Sequence, residues 1–176
     1  MVGVTNATNI ALGHYHSCAV LTDDNVTCWG SNGVGQLGDG NIDNGSMSLS
    51  STQVLVSGIT NATSICLGSY HTCAPLSDGS VKCWGANWSG ELGDGASSFS
   101  LTPVLVSDIT TAMEIASSDS HSCARLTDSK LTCWGVNHYG QLGGLRGWEF
   151  CPFCPFFAIF STFTKIPQVP SFQAHS

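Results

Sequence analysis

The segment His16–Gly40 reads HSCAVLTDDNVTCWGSNGVGQLGDG, and two closely similar segments follow it. They are HTCAPLSDGSVKCWGANWSGELGDG, which starts at His71, and HSCARLTDSKLTCWGVNHYGQLGG, which starts at His121. A catalytic motif is needed once in a chain, whereas a segment that occurs three times indicates a repeat architecture. The repeat therefore decides the fold before any single residue does.

The repeating unit is longer than this segment. GVTNATNIALG from Gly3 matches GITNATSICLG from Gly58, and the units end near TQVLV (Thr52–Val56) and TPVLV (Thr102–Val106). A period near 50 residues is long for helical solenoids and favours a four-stranded propeller blade. The units are predicted at about 2–55, 56–105 and 106–144, followed by a divergent Phe-, Pro- and Cys-rich tail, 145–176.

Each unit contains a predicted hairpin. Its turn reads TDDN, SDGS or TDSK, and Asp, Asn and Gly suit tight turns because they tolerate positive φ or bond their own backbone. A three-residue loop centred on Asp23 would set Cys18 opposite Cys28. In the first unit the predicted strands are Asn9–Leu12, His16–Leu21, Val26–Trp29 and Gln53–Val56.

Composition agrees with an all-β fold. Only 10% of the 176 residues are charged, against about 25% in typical domains, and strong helix formers are scarce. The net charge is −7, and the five Lys and Arg residues form no cluster, so nucleic-acid binding has no support. No apolar stretch is long enough for a membrane span, and the first residues do not resemble a signal peptide.

The GQLGDG-type motif after each CWG is interpreted as a tight turn. Its glycines permit close backbone approach, and the leucine between them can anchor the loop in the apolar layer. A phosphate-binding loop is disfavoured because no lysine follows and no helix is predicted. The anchoring leucines are Leu37, Leu92 and Leu142.

These repeats resemble those of the regulator of chromosome condensation family, in the variety with paired cysteines around CWG. The resemblance covers roughly residues 2–144. It implies a β-propeller, usually of seven blades, of which this chain supplies about three, so further repeats or other chains would be needed to close it. The framework residues are His16, Trp29, Leu37, His71, Trp84, Leu92, His121, Trp134 and Leu142.

Six of the nine cysteines form pairs ten residues apart across the predicted hairpins: Cys18/Cys28, Cys73/Cys83 and Cys123/Cys133. Opposed residues of an antiparallel pair lie about 4.5–5.5 Å apart at Cα, within the range that disulfides accept. Structural disulfides are favoured over packed thiols. Zinc held by these cysteines with His16, His71 and His121 is the third alternative, and no fourth ligand recurs. The histidine rings are expected to bond the backbone of a neighbouring blade instead.

The remaining cysteines have separate interpretations. Cys66 is expected to be a small buried residue. The CPFC motif, Cys151–Cys154, has redox spacing but lacks the strand-before, helix-after setting of such motifs. In the same tail, Ile166–Phe172 is a candidate for the last blade strand, near 164–172.

Asn-X-Ser/Thr triplets are possible glycan acceptors in a secreted eukaryotic protein, although a chain rich in Asn, Ser and Thr also produces them by chance. They begin at Asn6, Asn25, Asn44, Asn61 and Asn87.

The functional prediction is a non-enzymatic protein-interaction scaffold of unknown partner, with no catalytic constellation, metal or cofactor. By family analogy alone, the alternative is nucleotide exchange or another regulatory role on a small GTPase. A dithiol redox protein acting through CPFC is the third. Paired cysteines favour an extracellular or cell-surface location, and the missing signal peptide favours the cytoplasm.

Overall fold

The computed structural model describes residues 3–42 and 48–143 and the backbone of 161–163. The fold is all-β, as predicted: three antiparallel four-stranded sheets, each with its strands in chain order. The first sheet contains β1 (Ala7–Leu12), β2 (His16–Leu21), β3 (Val26–Ser31) and β4 (Leu49–Leu55). The second contains β5 (Cys66–Leu67), β6 (His71–Pro75), β7 (Val81–Gly85) and β8 (Ser100–Leu105). The third contains β9 (Ala112–Ser117), β10 (His121–Leu126), β11 (Leu131–Gly135) and β12 (Ser161–Phe163).

Some strand limits differ from the sequence prediction. β1 starts at Ala7 and β4 starts at Leu49, both earlier than predicted. The additional residues at the starts of the two strands are mostly polar, so no apolar alternation in the sequence indicates that they pair with the neighbouring strand. The fourth strand of the third sheet is β12, which pairs with β11. The strand predicted at Ile166–Phe172 lies outside the described residues, and the unit boundaries stay a prediction.

The hairpin between the second and third strands of each sheet has the predicted register. Cys18 lies opposite Cys28, and the amide of Leu21 donates to the carbonyl of Asn25 at 2.9 Å across a three-residue loop. The last loop residue is left-handed in every blade, at Asp24, Gly79 and Ser129. A type I turn followed by one left-handed residue is a standard three-residue hairpin, which explains the polar turn residues.

The sheets meet side by side as propeller blades. The first strands of successive sheets touch, β1 against β5 and β5 against β9, and so they lie nearest the common axis. Gly13 and Gly68 permit this approach, because a Cβ at either would lie 2.6 Å from a carbonyl oxygen of the next blade. We call the end of the blades with the loops after the first and third strands the upper face. The end with the three-residue turns is the lower face.

Two apolar clusters fill the spaces between blades. Leu37 and Trp84 are fully buried between the first and second blades, and Leu92 and Trp134 between the second and third. Fully burying an aliphatic or aromatic side chain contributes about 1.5–3 kcal/mol. Blade-to-blade packing therefore stabilises this arc.

An asparagine organises the loop that carries each anchoring leucine. The side-chain Oδ1 of Asn32 accepts from the amide of Leu37 at 3.1 Å, while its Nδ2 donates to Asp39 and to the carbonyl of Asn41. Asn87 makes the same three bonds, to Leu92, Asp94 and Ala96. These bonds explain why CWG is followed two residues later by Asn and later by GDG in the first two units.

Candidate functional site

A hydrogen-bonded network joins the first blade to the second. The Nε2 atom of His16 lies 2.8 Å from Oγ1 of Thr72, and Thr72 donates to the carbonyl oxygen of Gln36 at 3.0 Å. Because the Thr72 proton goes to that carbonyl, His16 is the donor and carries its proton on Nε2. The same Gln36 carbonyl accepts from Nε1 of Trp84.

The second and third blades repeat this contact. Nε2 of His71 lies 2.9 Å from Oγ of Ser122, and Nε1 of Trp134 donates to the carbonyl of Glu91 at 2.9 Å. The expectation that the histidines bond a neighbouring blade's backbone is corrected: the partner is the hydroxyl that follows the histidine in the next blade. The Ser or Thr inside HSC and HTC was the available sequence signal.

The buried histidines are neutral. Burial lowers the pKa of His16 to about 4. The pKa of His71 is also lowered to about 4, first by burial and then by the nearby His16 and His121. A protonated ring here would be a buried charge without a carboxylate partner, which is unfavourable. These residues are part of the framework, and their geometry supports no proton transfer to a ligand.

The paired cysteines are disulfides in the structure: Cys18–Cys28, Cys73–Cys83 and Cys123–Cys133. Bonded sulfurs supply no thiolate for zinc, and no cluster of three or more metal-ligating side chains occurs in the described part of the chain. Cys66 is buried and free, with its Sγ 2.9 Å from Oγ of Ser117. Burial raises the pKa of its thiol to about 12.

A polar chain crosses all three blades on the upper face. His14, Ser69 and Asp119 occupy equivalent positions, two residues before each framework histidine. Nδ1 of His14 lies 3.2 Å from Oγ of Ser69, and Ser69 donates to Oδ1 of Asp119. These residues border an open depression of about 510 Å³ next to the axis. Sequence reasoning missed this group because each member sits at a position whose residue type changes from unit to unit.

The order of the three residues in this polar chain favours ligand binding over acyl transfer. In a serine nucleophile's triad the histidine accepts the serine proton and is itself oriented by the carboxylate. Here Ser69 lies between the other two and directs its proton at Asp119. Ser69 is buried, whereas His14 and Asp119 are exposed. The two ends of the polar chain are therefore accessible to a ligand.

A row of exposed aromatic rings lies beside the polar chain. His14 stacks on Tyr15 with centroids 4.9 Å apart, Tyr15 contacts Tyr70 at 5.4 Å, and Tyr70 meets Trp88 edge-on at 5.9 Å. Tyr15, Tyr70 and Trp88 are all exposed. We call these four residues the aromatic row. Such rings bury large areas on binding at low entropic cost.

The basic residues are distributed unevenly between the two faces. Lys82, Arg125 and Lys130 lie at the lower ends of their strands or in the lower turns. Among the described residues, the upper face contains no Lys or Arg. It contains Asp39, Asp94 and Asp119 instead. The aromatic row therefore lies in an acidic environment.

The glycan candidates separate by burial. Asn6 is exposed, and Asn25 and Asn61 are partly exposed, whereas Asn87 is fully buried. Because both ends of the Asn87 amide bond the loop, a glycan there is incompatible with the fold. Asn44 and the CPFC motif lie outside the described residues, and no helix long and apolar enough to cross a membrane occurs in the part described.

The framework residues behave differently in different blades. Trp84, Trp134, Leu37, Leu92 and Leu142 are buried, as the repeat pattern predicts. Trp29 and His121, at the two outer blades, are only partly buried.

Comparison with known proteins agrees with this geometry. The chain is 32% identical over 90 residues to Protein pim1 of Schizosaccharomyces pombe, a match covering 46% of this chain and 17% of pim1. The fold is similar to that of Prp20p from Saccharomyces cerevisiae, whose crystal structure was described with its binding to Gsp1p and histones. That match has a TM-score of 0.71 and 22% identity, and covers 80% of this chain and 36% of the other.

Two further solved structures show the same fold. Human WBSCR16 matches with a TM-score of 0.70 and 21% identity, over 78% of this chain and 35% of that protein. Yeast RCC1 (Prp20) bound to Kap60 matches with a TM-score of 0.66 and 21% identity, over 77% and 33% of the two chains. The chain thus spans about a third of the length of these structures, and less of pim1.

The repeats themselves match a family model in phase with the blades. The regulator of chromosome condensation repeat matches residues 7–36, 62–91 and 114–141, and a second model of the same description matches 78–125. Each of the three matches covers a blade's first hairpin and its CWG segment, and ends at the second residue of the GQLG or GELG loop that follows. This chain belongs to the regulator of chromosome condensation (RCC1) repeat family.

Proposed function

We propose that this chain is a protein-interaction module whose upper face binds a cationic segment of a partner protein. The observation that carries the proposal is the aromatic row lying beside Asp119. Aromatic faces attract Lys and Arg side chains, with about 0.5–1 kcal/mol at exposed sites. An adjacent carboxylate adds a charge-assisted hydrogen bond.

Electrostatics support the same partner class. The chain has a net charge of −7, and the described upper face lacks Lys and Arg. Complementary potentials accelerate encounter and exclude partners of the wrong sign. Kap60, Gsp1p and histones are partners of Prp20; for this chain the partner is inferred only from its own face.

The three disulfides support a location outside the reducing cytosol, at the cell surface or in the extracellular space. Intact mass and peptide mapping without reductant, on protein from its natural source, test this. Cys18 bonded to Cys28 would support that location, and free thiols in all three pairs would place the chain in a reducing compartment instead.

Binding is tested with an Arg- and Lys-rich peptide and a peptide of equal length in which Glu replaces the basic residues. Titration calorimetry should detect only the basic peptide, and binding should weaken as salt is raised. Tyr70→Ala and Trp88→Ala should each weaken it by about two- to fivefold, which is about 0.5–1 kcal/mol. Asp119→Asn should also weaken it.

The matched control is Leu105→Ala, which removes an exposed apolar side chain at the lower end of β8. Its affinity for the basic peptide should equal that of the unmodified chain. Equal binding of the acidic and basic peptides would contradict the proposal, as would unchanged affinity in Tyr70→Ala, Trp88→Ala and Asp119→Asn.

A further inference from the structure

The contact between successive blades is built from the same parts each time. In the first contact, between the first and second blades, the loop Gly35–Gly38 has the sequence GQLG and packs against Trp84 of the next blade. The fit is so close that a Cβ on Gly38 would lie 2.6 Å from Nε1 of Trp84. A Cβ on Gly35 would lie 2.6 Å from the side chain of Leu101.

The second contact is made in the same way. The carbonyl of Glu91, in the loop GELG, accepts from Trp134, and a Cβ on Gly93 would lie 3.0 Å from Cδ1 of Trp134. Two independent cases in one chain thus show what occupies the space beside the CWG tryptophan. The occupant is a Gly-X-Leu-Gly loop whose X carbonyl faces the indole.

The first blade offers the corresponding receptor. A pocket of about 500 Å³ is lined by Tyr15, Trp29, Gly30, Ser51 and their neighbours. These positions are equivalent to Tyr70, Trp84, Gly85 and Leu101 of the second blade. Of these, Trp84, Gly85 and Leu101 lie against the loop. Trp29 is only partly buried, whereas both of its counterparts are completely buried. We call this space the Trp29 pocket.

The third blade carries a ligand of matching sequence and shape. Its loop Gly140–Gly143 is again GQLG. The φ angles of Gly140 and Gly143 are 77° and 74°, against 80° and 71° at Gly35 and Gly38. Oε1 of Gln141 accepts from the amide of Tyr139 at 2.9 Å. In the same way, Oε1 of Gln36 accepts from the amide of Val34 at 3.0 Å. This loop has the conformation that docks against Trp84.

We propose that copies of this chain associate head to tail, with the Gly140–Gly143 loop of one copy docked in the Trp29 pocket of a second. The indole of Trp29 in the second copy then donates to the Gln141 carbonyl of the first copy. His121 of that copy meets Ser17, as His16 meets Thr72. A heterologous contact closes into a ring or continues as an open series.

Sedimentation velocity of the full chain over a range of concentrations tests this proposal. We expect a species of twice the 18.4 kDa of one chain, or a longer series. Ser51→Arg fills the Trp29 pocket from an exposed position and should weaken association at least about tenfold. Trp29→Phe keeps the ring but removes the N–H, and should weaken it less.

Ser98→Arg is the matched control, because it makes the same change at an exposed serine of the second blade. It should associate like the unmodified chain, and near-ultraviolet circular dichroism should show all variants folded. The proposal is overturned if the chain stays monomeric at every concentration. Equal association of Ser51→Arg and Ser98→Arg would overturn it as well. Tyr70 and Trp88 lie outside the lining of the Trp29 pocket, so loss of peptide binding in Tyr70→Ala or Trp88→Ala has no bearing on this result.

Discussion

The indole nitrogen of Trp84 lies 3.0 Å from the carbonyl oxygen of Gln36, a residue 48 positions earlier in the chain. This bond ties the loop of one blade to the third strand of the next. Thr72 donates to the same oxygen, so both lone pairs of a buried carbonyl are used. Satisfied buried groups of this kind fix one arrangement of neighbouring elements.

Replacing Gly38 by alanine should destabilise the fold strongly. The residue has φ of +71°, and a Cβ would meet the Trp84 ring at 2.6 Å, so strain and overpacking combine to a loss of about 2–4 kcal/mol. Denaturant unfolding measures the change. Gly33→Ala is the control: no atom lies within 4 Å of its Cβ, and it should change stability by less than about 0.5 kcal/mol. Equal effects of the two substitutions would contradict the close contact.

Removing the central disulfide should cost stability without changing the fold. The double variant Cys73→Ser, Cys83→Ser opens a bond between residues ten apart, and a loop of that size corresponds to roughly 2–3 kcal/mol. Unfolding in urea without reductant measures the loss. Adding reductant should destabilise the unmodified chain more than this variant, and an equal effect of reductant on both would show that the bond contributes nothing.

Stability should fall between pH 6.5 and about pH 4. The pKa values of His16 and His71 are about 4 in the fold, below the value of 6.5 for an unfolded histidine. Only the unfolded chain therefore takes up these protons in that interval, and stability is lost as pH falls, by roughly 3 kcal/mol for each ring. Unfolding free energies measured at pH 7 and pH 4.5 test this.

Substitution of the two histidines separates their contribution to the pH dependence of stability from that of the acidic groups. The double variant His16→Gln, His71→Gln should be less stable at pH 7 but should show a flatter pH dependence than the unmodified chain. The lowered pKa values of Asp23, Asp78 and Asp128 affect stability mainly below about pH 4. An unchanged slope in the double variant would assign the loss to other groups.

Glu91→Gln should stabilise the chain at neutral pH. Burial raises the pKa of Glu91, so the folded state disfavours its carboxylate, and stability is lost as pH rises above the pKa of the unfolded group. Glutamine keeps the acceptor for the Ser89 amide and is the residue at this position in the other two blades. Thermal unfolding should show a higher melting temperature for the variant than for the unmodified chain at pH 7, and the difference should disappear near pH 4. Glu114→Gln, on an exposed ion pair, should show no such gain.

The hairpins were predictable because their information is local. Cys18 and Cys28 are separated by a turn whose residue types fix its length, and side-chain alternation then sets the register. The burial of Trp84 and Leu37 followed from their recurrence in the repeat. The edge strands were less predictable, since the start of β4 at Leu49 depends on pairing with β3 and not on an apolar pattern.

The candidate site was not predictable from the sequence, because its residues come together only through contacts between distant parts of the chain. His14, Ser69 and Asp119 share one repeat position but no chemistry, so only the three-dimensional approach of the inner loops brings them together. The partner of His16 was also misassigned, because sequence gives no distance between blades. The burial of Asn87, which excludes it as a glycan acceptor, depends on the loop that folds around its amide.

The blade contacts have a direction. The glycine loops of the first two units bond to the following unit, and Trp84 and Trp134 bond to the preceding one. A tandem duplication or deletion of one whole repeat would therefore leave every junction with the same two partners. Gene rearrangement could change the number of blades in such a protein without requiring any compensating substitution at the joins.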